Sequence, residues 1–531
     1  MPLLKILRCA LLTLLGALCL QSSAFAAVSW RDLAVGETDT RVAALQQALL
    51  EADPRLPQFV QALLDDKVRV SPAGIWVLDA DDVARDFAAD KPSPLPADAE
   101  EVSTNNRMRG ELGVALAVLQ LRSPQLAQRE QAVQVLQEQA DLKHQAMITA
   151  ALLHETNPGL KEQLQTLQAS LALAAPLAAD RIAAIRWLAE QASPKVNALL
   201  EARLKPDAEA DVAVRSQLNI AVKQVQAQLA WGERLGLLFA GLSLGSILLL
   251  AALGLAITYG LMGVINMAHG ELIMVGAYAT YLVQQGFRAW LPDAFDYYLL
   301  LAVPTAFFVT AAVGALLERT VVRWLYGRPL ETLLATFGIS LVLMQAVRSV
   351  FGAQNVAVEN PAWLSGGWAV MSNLTLPFNR LAIIVFAVLV LAGVAALISR
   401  TRLGLFVRGV TQNRAMASCT GVNTARIDTL AFALGSGIAG LAGCALSQVG
   451  NVGPDLGQAY IVDSFLVVVT GGVGQLAGTI WAAMGLGLIN KGLEGWTGAV
   501  LAKIIVLVAV VAFIQKRPQG LFALKGRSAE A

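Results

Sequence analysis

From Leu235 onward, largely apolar runs of 16 to 25 residues follow one another, and short segments between them hold most of the charge. A helix needs ~20 such residues to cross the hydrocarbon of a bilayer. Inside that layer every backbone polar group must find its partner within the protein. The runs are Leu235–Tyr259, Ala268–Gln284, Tyr298–Leu317, Thr332–Val350, Leu381–Ile398, Leu430–Gln448 and Ala499–Ile514. A further apolar region, Ile461–Ile489, is interrupted by Gly471, Gly472, Gly474 and Gly478, and reads as two short helices or a re-entrant hairpin. The expectation is an all-α polytopic membrane bundle of eight or nine membrane elements, some of them broken.

Charge divides the chain in two. Residues 28–230 carry 27 acidic and 20 basic side chains, whereas residues 231–531 carry 12 acidic and 18 basic. The first is a soluble composition and the second a membrane composition. An apolar content of 56% excludes a disordered chain. No segment is basic enough for a nucleic-acid binder.

At the start, Lys5 and Arg8 precede the apolar run Leu11–Leu20, and Ala24-Phe25-Ala26 then flanks a cleavable position. This is the order of a secretory signal peptide, cleaved after Ala26. The expected domains are a signal peptide over 1–26, an extracytoplasmic, mainly helical domain over 27–230, and a membrane domain over 231–531. Cys9 and Cys19 leave with the signal, and Cys419 and Cys444 lie in the membrane portion, so the exported domain forms no disulfide.

Residues 28–230 are rich in the helix formers Ala, Leu, Gln, Glu and Arg. Arg69–Leu78 alternates like a short strand or hairpin. The segments 129–140 and 181–192 match at six of twelve positions, which suggests stacked helical hairpins. His144 and His154 lack metal-ligand spacing and read as surface histidines. No metal site or nucleophile–base pair is expected.

Loop charge sets orientation. The segments 319–328, 400–426 and 516–527 hold twelve of the eighteen basic residues of the membrane portion, so they should face the cytoplasm with the C-terminus. Counting back places the start of the first span, and the acidic domain, outside.

Polar residues interrupt the apolar runs at two places. Asn266, His269 and Glu271 stand between the first two runs among Gly260, Gly263 and Gly270. Polar groups at membrane depth are expensive unless they face a cavity or a partner, and glycines let a helix break where a cavity satisfies the backbone. Thr470 and Gln475, with Gly471, Gly472 and Gly474, form a second break that can supply a facing wall. These are the substrate-path candidates, with buried structural hydrogen bonds as the competing reading of Asn266 and His269. The segment 401–428 is too polar to span, and its length suggests a docking element for a cytoplasmic partner.

Taken together, Gly263-x-Ile265-Asn266-x-Ala268-His269-Gly270 followed by Gly276-Ala277-Tyr278 resembles the first-helix signature of branched-chain amino-acid-type ABC permeases. Gly404, Arg408, Arg414, Ala415, Gly421 and Asn423 are similar to that family's coupling loop, with Gly409 standing where Ala is more usual. The Gly471–Gly478 glycines and the tail Arg517-Pro518-x-Gly520-Leu521-Phe522 also fit. The resemblance covers roughly 235–527. The added N-terminal domain is similar to the long form of the urea permeases within the family.

What the resemblance implies is an inner-membrane permease subunit of an ABC importer, not an enzyme. It implies a second homologous permease subunit, two cytoplasmic ATPase subunits and a periplasmic binding protein as partners. ATP is then used by those ATPases and no cofactor is bound by this chain, which lacks a Gly-x4-Gly-Lys-Ser/Thr motif. Urea is the solute expected from the long form; branched-chain amino acids or short amides are the alternative. Two other classes compete. Gly241-Leu-Ser243-Leu-Gly245 matches a hydrolase elbow by letter but opens an apolar helix instead of a strand–turn–helix. An ATP-independent channel would not need the long segment 401–428.

Overall fold

The computed structural model describes residues 30–522, apart from 52, 80–82, 90 and 206. The signal-peptide reading falls outside the described residues. The chain divides into two compact units at Gln226/Ala227.

The first unit opens with α1 (Trp30–Ala34), α2 (Thr38–Glu51) and α3 (Leu56–Leu64). The strands are β1 (Val68–Ser71), β2 (Gly74–Leu78), β3 (Ala84–Asp86), β4 (Lys91–Pro92) and β5 (Glu100–Glu101). They form an antiparallel sheet in the order β4-β3-β2-β1-β5. The expected hairpin is β1–β2, with Val70 opposite Ile75. The rest of the sheet, made of two- and three-residue strands, carries too little alternation to be read from sequence. Helices α4 (Asn106–Gln120), α5 (Leu126–Gln139), α6 (Gln145–His154), α7 (Pro158–Ala172), α8 (Ala178–Glu190) and α9 (Pro194–Leu204) follow. Caps start several of them. Asn157 and Ser193 each accept backbone N–H groups ahead of a first-turn proline.

The internal repeat has a physical basis. Arg129 donates to the carbonyls of Ser123 and Pro124 and pairs with Glu155 at 3.0 Å. Arg181, 52 residues on, donates to the carbonyls of Ala175 and Pro176 and pairs with Glu209 at 3.1 Å. Each Glu then accepts the N–H two residues ahead, from Asn157 or Asp211, which itself caps the next helix. Each arginine thus ties a helix to the loops at both ends of its hairpin, as stacked hairpins require. His144, expected at the surface, is buried: its Nδ1 accepts the Asp141 N–H at 3.0 Å. Burial holds its imidazole below the ordinary histidine range.

The second unit is helical. It holds most of α10 (Val212–Met262), then α11 (His269–Trp290), α12 (Tyr298–Thr320), α13 (Pro329–Phe351), the hairpin β6 (Gly367–Met371) and β7 (Leu374–Pro377), and α14 (Phe378–Arg400). After these come α15 (Arg402–Gln412), α16 (Arg414–Cys419), α17 (Thr424–Ser447), α18 (Leu456–Gly471), α19 (Leu476–Thr497) and α20 (Ala499–Lys516). Among the described residues six helices are long and apolar enough to cross a membrane, and α18 is a shorter apolar helix. The architecture is the expected all-α polytopic bundle, with a small sheet in the first unit and one hairpin in the second.

Small residues set the core. Helix α17 is almost wholly buried because its glycines admit the neighbouring backbones. A Cβ at Gly435 would stand 2.7 Å from the Gly254 oxygen, and one at Gly440 would stand 2.5 Å from the Ala306 oxygen. Between apolar helices in lipid, such close approach supplies the packing that a hydrophobic effect supplies in water. Gly241 and Gly245 lie against Leu488 and Ala483 in the same way, so the Gly-x-Ser-x-Gly letters are a helix-packing seam. Exposed Trp290, Tyr297, Trp363, Trp368 and Trp496 gather at the hairpin end of the bundle, and Trp324 lies at the opposite end, where aromatic rings favour the membrane–water interface.

Candidate functional site

The first break is real but narrow. Helix α10 ends at Met262, residues 263–266 are non-helical, and α11 begins at His269. Gly263 carries φ +65°, a left-handed conformation that favours glycine. The chain then doubles back along α10. His269 donates from Nε2 to the Ala251 carbonyl at 2.9 Å. Ala251 lies eleven residues before Met262, about 16 Å along a helix. Helix α11 therefore starts inside the bundle.

Its first turn rests on the start of α18: a Cβ at Gly270 would stand 2.6 Å from the Gly457 oxygen. Two helix N-termini thus meet, and two carboxylates, Glu271 and Asp455, sit beside them, the sign their dipoles favour. Glu271 is buried and accepts from Ser340 at 2.6 Å through Oε1, while Oε2 has no bonding partner among the described residues.

Asn266 lines a cavity of about 220 Å³ together with Leu255, Tyr259, Ile265, Met267, Leu333, Ile461, Val462 and Phe465. Its Oδ1 accepts the Ala268 N–H at 3.1 Å, which holds the turn, and its Nδ2 has no partner among the described residues. Thr336 braces the same turn, donating from Oγ1 to its own helix and accepting the Met267 N–H at 3.1 Å. The cavity is mostly apolar, with one amide at its wall.

The proposed path residues do not all meet there. His269 is fully buried against α10 and does not line the cavity. Thr470 and Gln475 are also absent from its lining. The second break belongs to the C-terminal tail: Leu521 donates to the Thr470 carbonyl at 2.8 Å and Phe522 to the Gly471 carbonyl at 3.3 Å. Two motifs read separately in the sequence are therefore one contact. The helix-break glycines divide as well. Gly263, Gly472 (φ +101°) and Gly474 (φ +79°) turn the chain. Gly260, Gly270 and Gly471 stay helical, and a Cβ on each would meet the backbone of Gly474, Gly457 and Gly478. Tyr259 and Phe465, 6.3 Å apart by ring centroids, were missed as lining residues because each reads as an ordinary member of an apolar run.

The segment 401–428 holds two short capped helices and the start of a third. Thr401, Asn413 and Asn423 cap α15, α16 and α17 through the N–H groups of Gly404, Met416 and Arg426. Val407, Val410, Ala417, Ile427 and Ala431 pack between them. Gly404 lies against the Ile398 carbonyl, and Gly421 turns the chain with φ +86°. Arg408 donates back to the Gly404 carbonyl at 3.3 Å. Gly409 lies inside α15 with open space around it.

Arg414 is occupied within the fold. It pairs with buried Asp428 and lies 5.0 Å over the Tyr326 ring. Tyr326 donates to Glu318 at 2.9 Å, and Glu318 accepts from Thr429 at 2.6 Å. This network ties α16 to the ends of α12 and α17. Ala415 is exposed, and Leu405, Phe406 and Met416 present apolar surface on the same two helices.

Residues 237–514, more than half the chain, match the family described as branched-chain amino acid transport system, permease component. The chain belongs to that family. It is 31% identical to the high-affinity branched-chain amino acid transport system permease protein BraD of Pseudomonas aeruginosa, over 47% of this chain and 82% of that protein. It is 27% identical to the permease protein LivH of the corresponding system of Escherichia coli, over 54% of this chain and 94% of that protein. The ribose import permease protein RbsC of Escherichia coli is 26% identical over 40% of this chain and 68% of its own length. No solved structure matches the chain. The chain is thus a multi-pass membrane permease subunit of an ABC importer and not an enzyme.

Proposed function

We propose that this permease carries branched-chain amino acids across the inner membrane. The observation that carries the reading is the cavity at Asn266: eight of its nine lining residues are aliphatic, aromatic or Met, a wall suited to a branched aliphatic side chain. The names of two of the relatives support it, since they specify branched-chain amino acids. Urea, the solute expected from the added N-terminal unit, is small and doubly polar and gains little from such a wall. The long-form resemblance alone supports it.

In this reading a periplasmic binding protein delivers the solute, and this chain and a second permease subunit form the path. Two cytoplasmic ATPase subunits dock on α15 and α16 and hydrolyse ATP. The basic segments support a cytoplasmic position for α15, α16 and the C-terminus and a periplasmic one for the first unit. Asn266 touches solute, whereas His269, Thr470 and Gln475 hold the two breaks in shape. Glu271 anchors α11 to α13 through Ser340.

An uptake competition tests the proposal. Labelled leucine should enter cells that carry the intact transporter. Unlabelled valine or isoleucine should suppress this uptake, and urea or acetamide in the same excess should not. Suppression by urea alone would sink the assignment. Uptake that persists after inactivation of the partner ATPase would sink the importer mechanism.

A further inference from the structure

Two charged side chains stand within apolar helices. Asp463 is the eighth of the sixteen residues of α18, about 11 Å from either end of that helix. Lys503 is the fifth of the eighteen residues of α20, about 6 Å from its start. A lysine so placed can stretch out to the membrane surface. This one instead meets the neighbouring helix at its middle, with Nζ 3.4 Å from Asp463 Oδ2. The pair is open: the Lys503 side chain is 55% exposed and that of Asp463 is 23% exposed.

The surface around the pair is apolar. Helix α20 is buried along one seam, Ala502, Val506 and Val510. Val500 and Leu507, three residues before Lys503 and four after it, are exposed, and so is Ile504. On α18, Ala459, four residues before Asp463, is exposed as well. Three kinds of cover suit a membrane surface: lipid, water and protein. Lipid offers no partner to an ammonium with three donors or to a carboxylate with two acceptor oxygens, and a charge left open to hydrocarbon is expensive. Water would have to wet the aliphatic side chains on either side of the pair. A protein face meets both demands, apolar area for packing and polar groups for the pair. The small Ala459 side chain also lets a partner helix approach closely.

We infer that the open face of α18 and α20 is the contact for the second permease subunit, which covers the Asp463–Lys503 pair with hydrogen-bonding groups of its own. The inference rests on the two-permease reading of the function. The depth of the pair selects this partner. In that reading the ATPase subunits dock on α15 and α16 and the binding protein approaches from the periplasm, so neither reaches the middle of a membrane helix.

The test uses the assembled transporter in native membranes, with its partner subunits present. Photo-activated benzoylphenylalanine replaces Val500 or Ile504, which leaves the ion pair intact. Val388, exposed on α14, takes the same probe as the control. Irradiation should join this chain to the second permease subunit from positions 500 and 504 and not from 388. In a second measurement, Asp463→Asn and Lys503→Gln each leave one charge of the pair uncompensated. Each should lower the amount of second permease subunit retained on purification by roughly tenfold, while this chain stays in the membrane at the wild-type level. Photoproducts with lipid alone, or between two copies of this chain, would overturn the assignment. So would undiminished retention of the second subunit by both variants. Labelling of Ile504→Cys by a membrane-impermeant maleimide, in a Cys419→Ser background, would overturn it too, because the face would then line water. A wild type that purifies without any second permease subunit would instead remove the two-permease reading itself. Leucine uptake, which tests the solute, depends on none of these outcomes.

Discussion

Neighbouring residues in one motif do different work. Asn266 and His269 stand three apart, yet the first borders a cavity and the second holds α11 against α10. Replacing His269 by Leu removes the hydrogen bond to Ala251 and should lower stability by about 1–2 kcal/mol. Asn266→Asp keeps the oxygen that holds Ala268 and changes the group at the cavity wall. It should leave the melting temperature within a degree or two and lower uptake severalfold. Thermal unfolding of the purified protein, read beside uptake, separates the two. Glycines divide in the same way. Gly409→Ala, in open space inside α15, should stabilise by roughly 0.5–1 kcal/mol. Gly472→Ala meets both a left-handed backbone and the Phe522 carbonyl, and should destabilise by about 1–2 kcal/mol or more. Melting temperatures moving in the same direction for both would refute the distinction.

Elements act through the surfaces they leave free. Helices α15 and α16 bury their valines and alanine against α17 and expose Leu405, Phe406 and Met416. Leu405→Ser with Met416→Ser should release the ATPase subunits on co-purification without moving the melting temperature. Arg414→Ala leaves Asp428 buried and unpaired, so it should lower the melting temperature as well as ATPase retention. Equal behaviour of the two variants would count against this division. In the first unit, the turn before α6 depends on neutral His144. Its folded pKa lies below the ordinary value near 6.5, so the unfolded chain takes up the proton first. Stability from this group is present above about pH 6.5 and is lost as pH falls through that value toward the folded pKa. Hydrogen exchange of residues 126–172 in the full-length protein should quicken between pH 7.5 and 5, and His144→Gln should flatten that response. Exchange that slows on acidification would reverse the sign and refute the role.

For the whole molecule, the decisive question is which face is inside. Cys419 is exposed on α16 and Cys444 is buried in α17, so the protein carries its own reporter. A membrane-impermeant maleimide should leave Cys419 unlabelled in sealed spheroplasts and label it after permeabilisation, with Cys419→Ser as the control. Labelling before permeabilisation would invert the topology and place the docking helices outside.

The spans, the hairpin at Arg69–Leu78 and the positions of the breaks were legible because each rests on local chemistry. A run of apolar residues, an alternating stretch and a glycine pair act over a few residues whatever surrounds them. The repeat was visible as similar letters, but its cause, an arginine reaching a glutamate 26 or 28 residues ahead, needed coordinates. The same holds for the site. Sequence alone determined that this is a membrane permease with polar groups at its first break. Tertiary structure decided that α11 starts inside the bundle and that the tail closes the second break. It also decided that Asn266, not His269, borders the cavity, and that Asp463 meets Lys503. Those contacts join residues far apart in the chain, from 18 positions for His269 and Ala251 upward, and the free energy that selects them comes from close approach of small residues and from satisfying buried polar groups. Neither is a property of any one stretch of chain.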